Sequence, residues 1–380
     1  MAVAYRVALL DWLACAVGGA AEPATQAALA MADGLEGEVA AAGTAGHVLD
    51  FDDTYAPGLA HLSAPVAPAA VVFGAERDAT VGEVISAYAT GFEAMARLSA
   101  ANHPAMRERG WHPTSTCGAV GAAAAAAELL GLDDERRRTA LRLALLGTSG
   151  LRAAFGSDGK SLQVGAAAAV GVRAAVLAAG GATARAEVEA GWEQAYGARW
   201  VEPDPAAGRA IHANWIKAYP CCLQTHGAID AALEARATTG DDVEVAVHPV
   251  SLTAADIDDP ADGLEAKFSI PYLTAYALMR GAPNVESFET IDEEVRHVAR
   301  AIRVTTDAGL PESGTVLRSR GTVLARVDAA LGSPGNPMTE DRLAAKLRDL
   351  AGDRLDGILD DPTRPATELA RILPGGGHHP

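Results

Sequence analysis

The chain has 380 residues, 49% hydrophobic and 21% charged, enough to bury a sizeable core and a length that suggests two domains or one large one. Its 31 basic and 49 acidic residues leave a formal net charge of -18, which argues against nucleic acid, whose binders need a basic patch, and against an anionic membrane surface. A small anionic substrate stays possible, because screening beyond about 8 Å lets a few local lysines dominate a pocket.

In chain order, the sequence opens with helical periodicity. "AYRVALLDWLACAVGG" spaces its apolar residues as a helix does and stops at a Gly pair. "VGEVISAYATGFEAMARLSA" repeats the pattern, with Ile85, Tyr88 and Phe92 on one face. "TCGAVGAAAAAAELLGLD" closes at Gly131, and "ERRRTALRLALLGTSGL" and "LQVGAAAAVGVRAAVLAAGG" complete a helical array reaching about Gly197. Aromatic residues are 5% and alanine is abundant, so the helices should pack closely, with small residues at their crossings. No fixed-period repeat points to a solenoid.

The texture changes near Trp215. "DDVEVAVHPVSL" alternates Val243, Val245 and Val247 with other residues, as a strand does. "AIRVTTD" and "TVLRSRGTVLARV" add strands, the last two joined around Arg320-Gly321. After Pro337, "MTEDRLAAKLRDLAG" carries acid early and base late, matching a helix dipole. This order predicts a mainly α protein: an all-helical domain over 1–214, a smaller α+β domain over 215–336, and C-terminal helices over 337–380 that return to the helical domain. The closing "GGGHHP" reads as a disordered tail whose histidines have no role.

Cys15, Cys117, Cys221 and Cys222 show no C-x-x-C spacing and read as free thiols of a reducing compartment. No basic segment, apolar core and cleavage site mark a leader. The run Val164 to Gly181 is mostly Ala and Gly, contains Arg173, and is too weakly hydrophobic for a membrane span. A cytoplasmic protein is expected.

Several stretches can carry chemistry. In "HVLDFDDT", a helix would gather His47, Asp50, Phe51 and Thr54 within about 100° of arc; the acidic residues would otherwise be a solvated face. Asp50 and Asp53, three apart, also offer a rival magnesium site for a diphosphate lyase, though no second acidic segment joins them. His61 in "HLSAP" is a loop histidine that can serve as acid or base. In "GWHPTSTCGAVG", Thr114, Ser115 and Thr116 are expected to cap an Ala-rich helix beside His112, whose N-terminus suits a carboxylate. Lys160 sits at a Gly-flanked turn without P-loop spacing. Lys217, among Trp215, Ile216 and Tyr219, either snorkels or has a partner. Cys222 and His226 stand four apart on an expected helix, as a packed pair or a nucleophile and base. Tyr272 in "AKFSIPYLTAYALMRG" can offer its hydroxyl to a pocket or to the core. No metal, flavin or pyridoxal motif is visible.

Together, "GHVLDFDDT", "GWHPTST.GAVGAAAAAAELLGLD", "K.YPCC..TH.AID", "AKFSIPY" and "GSPGNPMTEDRLAAKL" resemble the MmgE/PrpD family, from about Tyr5 to Leu350. The family includes 2-methylcitrate dehydratase, cis-aconitate decarboxylase and iminodisuccinate epimerase. The resemblance implies a homodimer with a helical domain, an α+β lid and a pocket between them. It places pocket residues on Asp50, Thr54, His61, His112, Lys160, Lys217 and Tyr272. A further pocket histidine of the decarboxylase falls on Cys222, which departs from that activity, and the N-terminal region is shorter, lacking a helix and part of a linker around Asp33 to Glu36. The expected function is a metal-independent, cofactor-free lyase that abstracts an α-proton from a di- or tricarboxylate. A 2-methylcitrate dehydratase-like hydro-lyase comes first, with a decarboxylase or epimerase as alternatives. Asp50, His61, His112, Lys160, Lys217 and Tyr272 would act in catalysis, with Thr54, Ser115 and Cys222 at the substrate. An inert metabolite-binding relative is the remaining alternative.

Overall fold

Residues with small side chains let helix backbones approach, and the first two hundred residues exploit this throughout. A computed structural model describes residues 2–203, 209–236 and 242–376. The first part comprises α1 (Ala2–Gly18), α2 (Pro23–Ala30), α3 (Gly34–Val48), α4 (Ser63–Glu76), α5 (Val81–Asn102), α6 (Ala105–Glu108), α7 (Pro113–Leu129), α8 (Asp134–Leu146), α9 (Gly159–Ala179) and α10 (Glu187–Tyr196). The alanine-rich α7 lies at the centre, packed by α4, α5, α8 and α9, and α9 in turn packs on α3. The α7–α9 crossing is so close that a Cβ at Gly171 would sit 2.6 Å from the Ala119 carbonyl oxygen. Trp12, Tyr88, Phe92 and Met95 fill the spaces that alanines leave.

A second core gathers Ile229, Val245, Val247, Phe268, Tyr272 and Leu317. It is built from α11 (His226–Ala235), α12 (Gly263–Ala266), α13 (Ile270–Met279) and α14 (Glu293–Ala299). A two-residue ladder, β1 (Thr54–Tyr55) with β2 (Asn214–Trp215), ties the chain back to the first part just before this core. The larger sheet holds β3 (Val243–Val247), β4 (Arg303–Thr306), β5 (Thr315–Ser319) and β6 (Thr322–Val327) in the order β4-β3-β5-β6. β3 runs parallel to β4 and antiparallel to β5. Arg320 and Gly321 join β5 to β6 with φ of 48° and 78°, the positive pair of a tight hairpin turn. The four strands of this sheet fall on the segments read as strands from the sequence. α15 (Glu340–Ala351) then packs on α1, and α16 (Thr367–Arg371) on α4, so the closing helices lie against the helical part. The architecture is mainly α with a smaller α+β part.

By length and composition Val3–Ala21 and Gly159–Ala179 both pass for membrane spans, the second against the reading of its alanine and glycine content, but 61% and 56% of them are buried within the protein. Most of the terminal "GGGHHP", including both histidines, lies outside the described residues.

Candidate active site

The stretch after α3 is not helical. α3 stops at Val48, and Asp50 turns the chain at φ 54°, a region that non-glycine residues rarely adopt. Three lysines hold the turn. The carbonyls of Leu49, Asp50 and Phe51 accept in succession from Lys267 at 2.7 Å, Lys217 at 2.8 Å and Lys346 at 2.8 Å. Lys217 also donates to Asp50 Oδ1 at 2.5 Å and to the Cys221 carbonyl at 2.9 Å, so its buried ammonium is fully partnered. Lys160, in the first turn of α9, brings its Nζ to 3.1 Å from the same carboxylate oxygen. Burial alone would raise the Asp50 carboxyl, but Lys160 and Lys217 outweigh burial and hold it well below the ordinary range.

Asp52 and Asp53 are fully buried rather than hydrated. Asp53 accepts from the Ser63 N–H at 3.1 Å, the Ser63 hydroxyl at 2.6 Å and the Asn214 amide at 2.6 Å. It serves the packing of α4 and β2, so it shares no site with Asp50, and the magnesium pair is not formed. Asp52 lies between two imidazoles, 3.0 Å from His47 Nδ1 and 3.1 Å from His61 Nδ1. Burial would raise Asp52, but the two histidines hold it well below its usual range.

These partners assign the histidine tautomers. An ionised carboxylate only accepts, so His47 and His61 each carry a proton on Nδ1. Burial outweighs the pull of Asp52 and pushes His61 down to about 3, leaving a neutral ring whose Nε2 has a free lone pair 3.6 Å from Asp50 Oδ1. His47 Nε2 faces the Lys160 ammonium at 3.1 Å and accepts from it. His112 is set the opposite way. Gln163 Oε1 accepts from the Leu151 N–H at 2.9 Å, which fixes the amide so that its Nε2 donates to His112 Nδ1 at 2.7 Å. Burial first, then Lys160, lowers His112 well below 6.5, so its proton sits on Nε2. The site therefore offers one imidazole lone pair, from His61, and one imidazole N–H, from His112.

Asp50, Thr54, His61, His112, Lys160 and Cys222 line one pocket of about 40 Å³, walled by Phe155 and Phe268, well below the volume of ordinary ligand sites, so its walls must part to admit a substrate. Lys217 lies beneath it, joined through Asp50. Tyr272 does not join them: it is fully buried in the second core, and its hydroxyl accepts from the Asp292 N–H at 3.0 Å. Ser115 turns away as well, donating to the Gln163 carbonyl at 3.0 Å. The expected caps are not caps, because α7 starts at Pro113 and all three hydroxyls fall inside its first turn. Thr114 accepts from the His61 N–H at 3.1 Å, and Thr116 donates to the Ser149 carbonyl at 3.2 Å. Cys222 and His226 do not share a helix, since α11 begins at His226. Burial raises the Cys222 thiol and lowers His226 to about 3, the reverse of an activated thiolate pair.

Sequence reasoning missed the supporting role of Asp52, Gln163, Lys267 and Arg107. Asp52 had a visible signal, lying between two candidate residues. Arg107 had none, because "MRERG" reads as solvated charge. As to metals, His47, Asp52 and His61 bring donor atoms within 4.8 Å of one another. Those facing atoms are already satisfied by N–H to carboxylate bonds, and the Lys160 ammonium adjoins His47, so the set does not suit a cation.

Two family models together cover most of the chain: "MmgE/PrpD N-terminal domain" matches residues 2–199 and "MmgE/PrpD C-terminal domain" residues 219–360. Among curated proteins, one named cis-aconitate decarboxylase from Homo sapiens is 27% identical over 343 residues, covering 80% of this chain and 70% of that protein. One of the same name from Mus musculus is 25% identical over 342 residues, with the same coverage.

Proposed function

The chain belongs to the MmgE/PrpD family, and on that premise we propose that it is a lyase acting on a small di- or tricarboxylate, most specifically a hydro-lyase of the 2-methylcitrate dehydratase kind. The observation that carries this reading is the neutral His61 ring with its lone pair on Nε2. Elimination of water begins by removing a proton from carbon, so it needs a base first. An entering polycarboxylate raises the basicity of His61 through its own negative charge. In the proposed step, His61 Nε2 takes the α-proton, the C–H pair becomes the new C=C bond, and the C–O bond breaks. The leaving hydroxide takes the proton back from the His61 imidazolium and departs as water.

The charge that builds on the substrate carboxylate during this step meets Lys160 and the His112 Nε2–H. Neutral imidazole is a poor full acid but a good fixed donor, and one preorganised donor is worth roughly 3–4 kcal/mol in comparable sites. Asp50 aligns Lys160 and keeps Lys217 charged beneath the pocket. The positive charge comes from side chains, because both carboxylates that could take a metal are held by lysines or histidines.

A second reading is decarboxylation, favoured by the names of the curated relatives. That reaction needs a proton donor once carbon dioxide has left, a part the neutral His61 does not supply and Lys160 would have to play. The test is product analysis by NMR in D₂O with 2-methylcitrate, citrate and cis-aconitate. Water loss from citrate or 2-methylcitrate, with deuterium entering the α-carbon on the reverse addition of D₂O to cis-aconitate, supports the proposal; carbon dioxide release with deuterium on the product carbon and no hydration supports the second reading. Binding without any turnover would point to an inert relative. A homodimer in the cytoplasm is part of the same proposal, and light scattering of the purified protein tests the dimer.

A further inference from the structure

Arg107 is a buried cation that makes no direct ion pair among the described residues, Asp256 acting on it only at longer range. It lies at 6% exposure on α6, at the wall of the pocket that holds His61, His112 and Lys160. Its Nη2 donates to the Thr253 carbonyl at 3.2 Å. Its buried Nε has no hydrogen-bond partner, and among the described residues no carboxylate forms an ion pair with it. Taking a guanidinium out of water without a matching anion is costly, and buried charges are ordinarily paired. The guanidinium carbon lies 5.9 Å from the centroid of Phe155, and Lys160 Nζ lies 5.7 Å from the same ring. The two cations thus share an aromatic wall of the one pocket that also holds Asp50 and His61.

We propose that Arg107 is the binding residue for a substrate carboxylate remote from the reacting carbon, received by its unpaired Nε–H edge, so that the pocket selects a tricarboxylate over a dicarboxylate. This rests on the polycarboxylate reading of the same pocket. Lys160 takes the carboxylate next to the carbon that loses its proton, and Arg107 takes one further along the Phe155 wall. The planar fork of Arg suits a carboxylate better than a point charge does. The Thr253 contact comes from the α+β side, so the fork is aimed only when the two parts of the protein are docked.

The test uses isothermal titration of the full-length protein with two unreactive ligands, tricarballylate and glutarate, for wild type, Arg107→Gln and Arg107→Lys. Wild type is expected to bind tricarballylate more tightly than glutarate. Arg107→Gln should weaken tricarballylate by about 10–100-fold, the value of a charge-assisted hydrogen bond, and change glutarate by less than about 3-fold. Arg107→Lys keeps the charge without the fork and should fall between; it carries the test if Arg107→Gln does not fold. Tricarballylate affinity unchanged in the variants, or an equal loss for both ligands, overturns the assignment while leaving the polycarboxylate pocket standing. Failure of wild type to bind either ligand overturns both.

Discussion

Replacing Lys217 by Met keeps the length of the side chain and removes its ammonium. Three acceptors lose their donor: the Asp50 carbonyl, Asp50 Oδ1 and the Cys221 carbonyl. Lys160 remains 3.1 Å from Asp50 Oδ1 and compensates in part for the carboxylate, and the His226 ring does so in part for the Cys221 carbonyl, whereas the Asp50 carbonyl loses its ammonium donor. At about 1–3 kcal/mol for each buried acceptor left unsatisfied, the loss is about 3–5 kcal/mol, the range expected when one partner of a buried ion pair is removed. In a chain of 380 residues that corresponds to a fall of roughly 4–6 °C in Tm. The assay is urea denaturation of wild type, Lys217→Met, Asp50→Asn and the double variant. Asp50→Asn strands the Lys217 charge, so the double variant should be at least about 1 kcal/mol more stable than the sum of the singles implies. A loss below about 1 kcal/mol for Lys217→Met, or strict additivity, would refute the view that this pair is a coupled buried unit.

Three other outcomes are expected. Because burial holds the free His61 near 3, kcat/KM should show no histidine limb between pH 6 and 8, while His61→Gln should lose about 10²–10⁴-fold in kcat; a limb near 6.5 would contradict the neutral-ring assignment. Burial raises Asp53 to about 7, above its unfolded value of about 3.9; the folded state then holds the extra proton, so the Asp53 contribution to stability is present below about pH 4 and is lost as pH rises towards 7. Denaturation of wild type against Asp53→Asn across pH 4–8 should show their difference changing in that window and level above it. Gly171→Ala gains helix propensity worth up to about 1 kcal/mol but drives a methyl into the α7 backbone, so calorimetry should register a net loss of about 1–2 kcal/mol.

The large elements were legible because their signals are local. Helical spacing marked α1, α5, α7, α8 and α9, alternation marked β3, and strand-like composition marked β4 to β6. The stretch around Asp50 misled because three aspartates beside leucine and phenylalanine fit a helix face, whereas its conformation is imposed by lysines 167 to 295 residues away. No local window contains those partners. The same limit explains Ser115 and Tyr272, whose hydroxyls have ordinary structural bonds. It also explains Arg107, where nothing in the surrounding charge run foretells burial. Motifs named residues that the fold gathers in one pocket, such as Asp50, His61, His112 and Lys160; residues placed by where distant backbone passes left no such mark.

The three lysines that donate to the carbonyls of residues 49–51 have a bearing on how the protein is made. During synthesis the segment bearing Asp50 emerges early, yet the side chains that shape it arrive only with Lys217, Lys267 and finally Lys346. Until then the segment has no reason to hold its unusual backbone angle. A nascent or truncated chain can build its alanine-packed helices and still lack a functioning carboxylate, so competence would switch on late and all at once.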